Sequence, residues 1–380
     1  MHARHRICQL ITELGDAGAE RCVYELATRL DRRRFAPHVA ALRGGPYADR
    51  LAAAGVPVTV LGMATKADAL RLGRLPAVLR RWRIDLLHTH LFHADLAGRL
   101  AAAAAGVRHL VHSVHVAEAR WRPWQFAFAR WARPRAERIV GVSQAVCEHH
   151  RQRSGLPAGL YEAIPNGIDV GRYARDPLAR QRLRRRWGLD DRDVAVVFCG
   201  RLDPQKGLDT FLDALDRLAG PAGSDGASRP ADRPPIRALI AGDGPQRGLV
   251  TDALARRPLG RCTRYLGFWP DVPGLLSATD LLAMPSRWEG FGLAAAEAMA
   301  AELPVVATRV AGLSEVVADG QTGLLVAPED PAALAAALGE LAGDPARRAE
   351  LGAAGRQRVR TRFTIEANIA AHERLYEDLL

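Results

Sequence analysis

Residues 281–306 read LLAMPSRWEGFGLAAAEAMAAELPVV, and they predict a strand, a tight loop, a helix and a second strand. The apolar run Leu281–Met284 is typical of the end of a buried strand, which Pro285 stops. An alanine-rich helix follows over residues 293–301, until Pro304 ends it and starts the next strand. This order of elements indicates an α/β fold.

The loop inside this stretch is suited to an anionic ligand. Gly290 and Gly292 let the backbone come close to a bound molecule, and the free N–H groups at the start of the helix favour an anion there. Glu289 lies in the loop and Glu297 on the second helical turn. We expect the two carboxylates to flank one molecule, with a phosphate at the helix start and hydroxyl groups at the carboxylates. The alternative is a solvated loop acid beside an ordinary helix acid.

Length and composition limit the class of protein. The chain has 380 residues, more than one core usually holds, so two domains are expected. Apolar residues make up 48% and charged residues 25%, as in globular proteins, and no apolar run approaches the length of a membrane span. The N-terminus enters a strand without a signal-peptide core, and the cysteines form no C-x-x-C pair. A cytoplasmic location is therefore predicted.

The charge predicts anionic partners. The formal net charge is +11, from 53 basic and 42 acidic side chains. A basic surface favours nucleotides or lipid head groups, whereas neither a zinc-finger spacing nor an aromatic RNA-binding pattern supports nucleic acid. Lysine occurs at Lys66 and Lys206 alone, with arginine at every other basic position, which indicates that Lys206 supplies a compact ammonium group.

The first half of the chain alternates strands and helices. Repeated βα units predict a parallel sheet covered on both faces, with ligands at the carboxyl ends of its strands. The predicted strands span residues 6–13, 38–42, 57–61, 84–88, 109–115 and 138–142, and the predicted helices residues 18–30, 47–54, 69–82 and 95–105.

Two strand ends carry candidate site residues. The loop before Gly18 opens a helix and suits a phosphate, although many such turns contain glycine. Histidines gather after the fourth and fifth strands, with His115 best placed at a strand end. No acidic ligand sits at a matching offset, and alternate strand residues face opposite sides, so no metal or other cofactor is expected. A neutral His115 that donates to a substrate hydroxyl is favoured over a metal ligand, and the alternative is a structural histidine, which is common at strand ends.

A second series of βα units follows a linker at residues 164–169. Its first strand, 194–199, precedes the sequence GRLDPQKG at 200–207, where Arg201 and Lys206 flank a turn suited to a pyrophosphate. Gly/Ser/Pro-rich residues 220–235 predict a flexible surface insertion. Further strands are predicted at 237–241, 263–266, 281–284, 305–307 and 322–326, and terminal helices at 331–342, 345–360 and 365–380.

The chain resembles the retaining glycosyltransferases of family 4 over nearly its whole length. The matching motifs are GDAGAE at 15–20, SVH at 113–115, VSQAV at 142–146, IPNGID at 164–169, GRLDPQKG at 200–207, AGDGP at 241–245 and EGFGLAAAE at 289–297. The resemblance implies the α/β GT-B fold, with two Rossmann-like domains facing a central cleft. Residues 1–168 would form the acceptor domain and 169–362 the donor domain, with the helix at about 363–380 packing back on the first.

The resemblance also implies roles for individual residues. Arg201 and Lys206 would neutralise the donor diphosphate, Glu289 would bind sugar hydroxyls and Glu297 the ribose hydroxyls. His115 would contact the donor sugar near the reacting centre. The remaining donor-binding residues would contact the diphosphate, the sugar or the base, and they are Gly18, Gly267, Phe268, Phe291, Gly292 and Leu293. Asp16-Ala17 departs from a family pattern with a second glycine, so phosphate contacts from these two residues are not assigned.

The implied reaction is transfer of a sugar, with retention, from a nucleotide sugar. A UDP-sugar is favoured, with GDP-mannose second, and the acceptor would be a glycan or lipid-linked molecule of cell-envelope polysaccharide, lipopolysaccharide or glycolipid synthesis. Alternatives are a nucleotide-sugar epimerase of the same fold and transfer to a small soluble acceptor. A Rossmann oxidoreductase would need G-x-G-x-x-G, which the loop at Gly15 and Gly18 lacks.

Residues 120–138, RWRPWQFAFARWARPRAER, suggest a membrane contact. Trp124, Phe128 and Trp131 share one helical face, with arginines around them, which suits the surface of an anionic bilayer. A peripheral position at the inner face of the membrane is the expectation that follows. The alternative is that the aromatic rings pack inside the first domain.

Overall fold

A computed structural model describes residues 4–63, 65–117, 122–131, 136–219, 234–256, 259 and 262–380. The chain divides into two compact units, the first formed by Met1–Gly167 with Ile365–Leu380 and the second by Ile168–Thr364. Each unit is built on one parallel β-sheet with helices between its strands. The predicted insertion at 220–235 lies, apart from its last two residues, outside the described part of the chain.

The first unit contains strands β1–β7 and helices α1–α6. The strands are β1 His5–Glu13, β2 Phe35–Arg43, β3 Val58–Val60, β4 Leu86–His90, β5 His109–Val114, β6 Ala136–Gly141 and β7 Tyr161–Ala163. The helices are α1 Gly18–Arg29, α2 Pro46–Ala53, α3 Leu75–Trp82, α4 Phe92–Ala105, α5 Pro123–Trp131 and α6 Gln144–Ser154. Short 3-10 helices cover Lys66–Arg74 and Ala158–Leu160.

The second unit contains strands β8–β13 and helices α7–α14. The strands are β8 Val194–Cys199, β9 Ile236–Ala241, β10 Thr263–Gly267, β11 Leu281–Met284, β12 Val305–Thr308 and β13 Gly323–Val326. The helices are α7 Pro177–Trp187, α8 Leu208–Ala219, α9 Arg247–Arg256, α10 Val272–Ala278, α11 Leu293–Ala300, α12 Ala311–Val316, α13 Pro331–Gly343 and α14 Pro345–Arg362. Short 3-10 helices cover Val170–Tyr173 and Pro204–Lys206, and the last helix, α15 Ile365–Leu379, belongs to the first unit.

The sequence pattern placed most of these elements, with differences at their ends. The predicted helix at residues 69–82 is in two parts, because a 3-10 helix precedes α3 and Pro76 lies in the first turn of α3, where a missing N–H costs nothing. Helix α6 and strand β7 were not assigned from sequence and α8–α10 and α12 were given no bounds, whereas the helical spacing of Trp124, Phe128 and Trp131 predicted α5. Strand β7 is three residues long, too short for a period-2 pattern to show.

The strand order of both sheets reverses at one point. The order is β3-β2-β1-β4-β5-β6-β7 in the first unit and β10-β9-β8-β11-β12-β13 in the second. Strand β1 pairs in parallel with β2 and β4, and β8 with β9 and β11. In such sheets a crevice opens beyond the carboxyl ends of the two strands at the reversal. The residues after β1, β4, β8 and β11 are therefore positioned for a ligand.

Helix α15 returns to the first unit and completes its core. Ile365, Ile369 and Tyr376 pack in one buried cluster with Ile7 of β1 and Phe35 of β2. The Tyr376 side chain is fully buried, and its ring meets Phe35 edge-on with the centroids 6.0 Å apart. The last helix of the chain thus lies against the first two strands.

A buried ion cluster joins α4 to β6. Arg99 of α4 donates to Asp95 at 2.8 Å and also pairs with Glu137 of β6. All three side chains are at most 5% exposed. His112 of β5 lies 3.3 Å from Asp95, and the nearby positive groups hold the pKa of Asp95 below its usual range although burial opposes this.

Because two carboxylates in this cluster share one cation, Arg99→Met should be severely destabilising. It leaves Asp95 and Glu137 buried without their partner, a change that typically costs about 3–5 kcal/mol. Urea unfolding at pH 7.5 should show a large drop in the midpoint. The matched control is Arg151→Met, which removes an exposed pair with Glu148 on α6 and should leave the midpoint near that of the wild type. Similar midpoints for the two variants would contradict the assignment of a buried, interdependent cluster.

Candidate active site

The candidate site of the second unit is formed by two loops at the strand reversal. One loop follows β8 and carries Gly200 to Gly207, and the other follows β11 and carries Pro285 to Gly292. Since β8 and β11 are adjacent and parallel, both loops leave the same edge of the sheet. The two motifs that the sequence analysis singled out are thereby brought together.

The backbones of the two loops are in direct contact. Gly207 has a φ of +66°, and a Cβ atom there would lie 2.0 Å from the carbonyl oxygen of Pro285. The N–H of Arg287 donates to the carbonyl of Gln205 at 2.8 Å, and the Gln205 side chain donates to the carbonyl of Trp288 at 2.9 Å. Any residue other than glycine at position 207 would therefore push the loops apart.

Arg287 fastens the same two loops through its side chain. The guanidinium group donates to both carboxylate oxygens of Asp209, at 2.6 and 3.1 Å, and to Glu329 at 2.8 Å and the carbonyl of Pro204 at 2.7 Å. The hydrogen bond to Asp209 is the main reason why the pKa of Arg287 is raised. Arg287 was not assigned a role from the sequence; its position two residues before Glu289, in a loop facing a second cationic motif, was the available signal.

Lys206 and Glu289 meet between the loops. The Lys206 ammonium lies 2.5 Å from Oε1 of Glu289, and the hydroxyl of Ser286 donates to the same oxygen at 2.9 Å. Glu289 is 5% exposed, so the ion pair is held in a largely desolvated position. An ammonium group has three donors, and the bond to Glu289 uses one of them. Lys206 can therefore hold Glu289 and an anionic oxygen at the same time.

Arg201 supplies a second cation at this edge. Its side chain is exposed, and within the described ranges its guanidinium makes no hydrogen bond or ion pair. Its backbone is fixed, since the carbonyl of Arg201 accepts from the N–H of Asp203 at 2.9 Å. The fork of a guanidinium suits two oxygens of a phosphate. Arg201 is thus placed to reach an anion beyond the end of β8.

Helix α11 presents its N-terminus at the same place. It starts after Gly292, whose φ is +93° and where a Cβ would lie 2.4 Å from Leu313, so that glycine is required. No side chain caps the N–H groups that start at Leu293. The ring of Phe291 is buried edge-on against Phe363, with centroids 5.3 Å apart, so this residue can serve a ligand through its backbone alone.

Glu297 lies one turn further along α11 and is 6% exposed. The negative charge of Glu297 acts on Cys199, the last residue of β8. Burial raises the pKa of the Cys199 thiol to about 12, Glu297 adds to that increase and Lys206 opposes it. The thiol is therefore protonated at neutral pH, and Glu297 and Lys206 both lie within electrostatic reach of the end of β8.

Gly267 and Phe268 lie at the carboxyl end of β10, two strands from β8. Gly267 has a φ of +66°, and its carbonyl accepts from the N–H of Gly242 at 2.8 Å. The Phe268 ring is 58% exposed. An exposed ring at this edge of the sheet can stack on a planar base.

In the first unit, Gly18 lies at the start of a helix and His115 at the end of a strand. Gly18 is the first residue of α1, and no side chain caps that helix at Ala17. His115 directly follows β5 and is half-buried. Its Nε2 lies 2.9 Å from Nδ1 of His90 at the end of β4.

Burial keeps four histidines of the first unit neutral: His88, His90, His115 and His372. It lowers the pKa of His115 to about 3 and that of His372 to about 4, and it places the pKa values of His88 and His90 well below the usual value. Neighbouring histidines lower the values for His88, His90 and His115 further. The ring of His115 is therefore uncharged at physiological pH.

Strand alternation separates the histidines into two groups, as the sequence predicted. His88 and His90 of β4 bond to Ser113 and His115, whereas Thr89 of the same strand bonds to Asp95 and lies 3.1 Å from His112. Within the described residues, no three histidine, cysteine or acidic side chains converge as metal ligands would.

Two family models match the chain. The model for glycosyl transferases group 1 matches residues 179–358, and the model for glycosyltransferase family 4 matches residues 17–172. The chain belongs to glycosyltransferase family 4. The resemblance drawn from the motifs is thereby confirmed.

Curated relatives of this glycosyltransferase differ in donor and acceptor. A GDP-mannose-dependent alpha-(1-6)-phosphatidylinositol monomannoside mannosyltransferase of Mycolicibacterium smegmatis is 35% identical over 67% of this chain and 66% of its own length. A D-inositol 3-phosphate glycosyltransferase of Xylanimonas cellulosilytica is 34% identical over 76% of this chain and 70% of its own length.

The solved structure of Anabaena Alr3699/HepE in complex with UDP-glucose has a TM-score of 0.85 and 26% identity, covering 98% of this chain and 99% of the other. WaaG, a glycosyltransferase involved in lipopolysaccharide biosynthesis, has a TM-score of 0.75 with 17% identity over 96% and 98% of the two chains, a likeness of fold. The predicted fold class, GT-B with two Rossmann-like units, is confirmed, as is a nucleotide-sugar glycosyltransferase.

Since two cations lie at the strand reversal, Lys206→Ala and Arg201→Ala should each lower kcat/KM by roughly 100-fold, the scale of losing one donor to a developing charge. The measurement is the initial rate of nucleotide release from the preferred donor. Arg182→Ala, an exposed arginine of α7, is the control and should retain the wild-type rate. Wild-type rates in both site variants, with intact folding, would place the anion site elsewhere.

Proposed function

We propose that this chain is a retaining glycosyltransferase that moves a hexose from a UDP-sugar to a glycan or lipid-linked acceptor, with GDP-mannose as the second candidate donor. The observation that carries the proposal is the contact of Lys206, Glu289 and Ser286 beside the uncapped start of α11. A cation, a carboxylate and free N–H groups then meet at one edge, which matches a phosphate bonded to a sugar.

The leaving group of the reaction is a nucleoside diphosphate, on which negative charge builds as the bond between the sugar and the diphosphate breaks. Lys206 and Arg201 supply fixed positive charge for it, and the N–H groups at the start of α11 supply further donors. These groups are held in place by the loop contacts through Gly207 and Arg287. The proposed contribution of this unit is therefore stabilisation of the departing diphosphate.

The two carboxylates would orient the donor at either end of the diphosphate. Glu289 has Oε1 engaged by Lys206 and Ser286, and a sugar hydroxyl can donate to the carboxylate as well. Glu297, one turn into α11, would accept from ribose hydroxyls, and the exposed ring of Phe268 would stack on the base. His115 of the first unit would meet a hydroxyl of the donor sugar as a neutral imidazole.

The relatives support two candidate donors, a UDP-sugar and GDP-mannose, which differ in their base. The structure most alike among those described above was solved with UDP-glucose, whereas the mannosyltransferase relative is GDP-mannose-dependent. The two curated relatives act on inositol-containing acceptors according to their names, one of them a lipid. A lipid-linked or polyol acceptor is consistent with these names.

A donor screen tests the proposal. Purified protein is titrated with UDP-, GDP- and ADP-sugars by calorimetry, and the products with a lipid-linked acceptor are analysed for anomeric configuration. We expect tight binding of one UDP-sugar, transfer with retention, and nucleotide affinity at least about 10-fold weaker in Glu297→Gln, as expected for a lost charge-assisted hydrogen bond. Epimerised sugar without transfer would replace the proposal by an epimerase, and unchanged affinity in Glu297→Gln would reject the ribose contact.

An aromatic helix supports a membrane-bound acceptor. On α5, the side chains of Trp124 and Trp131 are 55% and 76% exposed, and Arg130 of the helix and Arg122, which directly precedes it, are exposed as well. Trp124 meets Phe92 of α4 edge-on with centroids 5.4 Å apart, while Phe126 is buried. The residues of the predicted segment at 120–121 and 132–135 lie outside the described part of the chain. Exposed tryptophans beside arginines suit the interface of an anionic bilayer.

Within the described residues, no helix combines the length and apolar character needed to cross a bilayer. We therefore expect salt-sensitive peripheral binding. In co-sedimentation with phosphatidylglycerol vesicles, wild-type protein should bind at low salt and be released at high salt, because surface charges are screened. The triple change Trp124→Ala, Arg130→Ala, Trp131→Ala should abolish binding, whereas Leu178→Ala, an exposed apolar residue of α7, should not. Absence of wild-type binding at low salt would point to a soluble acceptor.

A further inference from the structure

A continuous chain of buried hydrogen bonds links α15 to His115 in the first unit. Nε2 of His115 lies 2.9 Å from Nδ1 of His90, and Nε2 of His90 lies 2.8 Å from the side-chain oxygen of Gln9. The Gln9 amide nitrogen donates to the hydroxyl of Tyr376 at 3.0 Å. That hydroxyl lies 2.6 Å from Nδ1 of His88. The hydrogen bonds thus run from His115, which follows β5, through His90 of β4 and Gln9 of β1 to Tyr376 of α15, and from there to His88 of β4.

The orientation of the Gln9 amide fixes the direction of the bonds. Its oxygen accepts a hydrogen bond, so the facing Nε2 of His90 carries the proton. Since a neutral imidazole has one N–H, Nδ1 of His90 is an acceptor and Nε2 of His115 is the donor to it. His115 is then left with an unprotonated Nδ1. Within the described ranges, that atom has no hydrogen-bond partner in the protein.

Tyr376 accepts from the Gln9 amide in this orientation. Its hydroxyl accepts from the N–H of Gln9 and is left with one proton, which it can donate to Nδ1 of His88; Nε2 of His88 lies 2.8 Å from the Ser113 hydroxyl. The Tyr376 side chain is fully buried, and burial raises its pKa, so the hydroxyl keeps its proton. Turning the Gln9 amide over would break both of its bonds unless every member of the chain reversed.

We propose that Tyr376 of the C-terminal helix is a positioning residue that acts through Gln9 and His90 to hold His115 as the Nε2–H tautomer. The Nδ1 atom of His115 is then an acceptor, to which a hydroxyl group of the donor sugar donates a hydrogen bond. This differs from the expectation drawn from the sequence, in which His115 donates. The part concerning the sugar rests on the proposed function, whereas the tautomer does not.

The surroundings of His115 favour a neutral ring whichever way the hydrogen bonds are directed. The titratable groups that act on it electrostatically are His112 and His372, both of which lower its pKa. His90 is in direct contact, and burial lowers its pKa as well. The choice between the two neutral tautomers is thus left to the hydrogen bonds, which is where Tyr376 acts.

Nitrogen NMR of histidine-labelled full-length protein tests the tautomer directly, because protonated and unprotonated ring nitrogens differ widely in chemical shift. The His115 signals are assigned from their loss in His115→Gln. Wild-type protein should show one tautomer with the proton on Nε2, and Tyr376→Phe should show a mixture of two. The matched control is Tyr161→Phe, which removes a similar hydrogen bond. The Tyr161 hydroxyl lies 2.8 Å from Nδ1 of His150, and neither residue belongs to the hydrogen-bond series that ends at His115. It should leave the His115 signals unchanged.

A wild-type spectrum with the proton on Nδ1 of His115 would overturn the proposal, and so would an unaltered tautomer in folded Tyr376→Phe. The wild-type measurement decides the first point even if the variant does not fold. In transfer assays, Tyr376→Phe should lower kcat roughly 10-fold with little change in donor affinity, the scale seen when a partner behind a site residue is lost. Absence of transfer by wild-type protein would reject the proposed function but not the tautomer.

Discussion

The candidate site depends on the contact between the loops that follow β8 and β11. Lys206 and Glu289 come from different loops, and the distance of 2.5 Å between them exists because Gly207 lets one backbone touch Pro285. Arg287 strengthens this contact with a bidentate pair to Asp209. The two pairs have different consequences: Arg287 has its donors occupied by protein, whereas Lys206 keeps donors for an anion.

The position of this contact follows from the parallel sheet. In the order β10-β9-β8-β11-β12-β13, the connections leave β8 and β11 toward opposite sides, which opens the edge between them. The same reversal in the first unit lies between β1 and β4, where Gln9, His88 and His90 form their network. Two unrelated chemistries, a charged one and a neutral one, therefore occupy the same topological position in the two units.

The difference between the units comes from burial. In the second unit the Arg201 side chain is exposed to solvent, and the partly exposed Lys206 pairs with Glu289. In the first unit the imidazoles are desolvated, and their pKa values fall well below neutrality. A neutral network can be ordered by hydrogen-bond direction alone. This gives helix α15, which contributes Tyr376, a part in the arrangement of His115 besides its part in the core.

The sequence by itself determined the α/β class, the family and most of the strands, because period-2 apolar runs and glycine-bearing turns are local features. It also placed Arg201, Lys206, Glu289 and His115 at strand ends, since the βα alternation defines those ends. Only the tertiary structure showed that Lys206 pairs with Glu289 and that Arg287 binds Asp209, because these partners lie 83 and 78 residues apart in the chain. The tautomer of His115 depends on Tyr376, which no local pattern could connect to it.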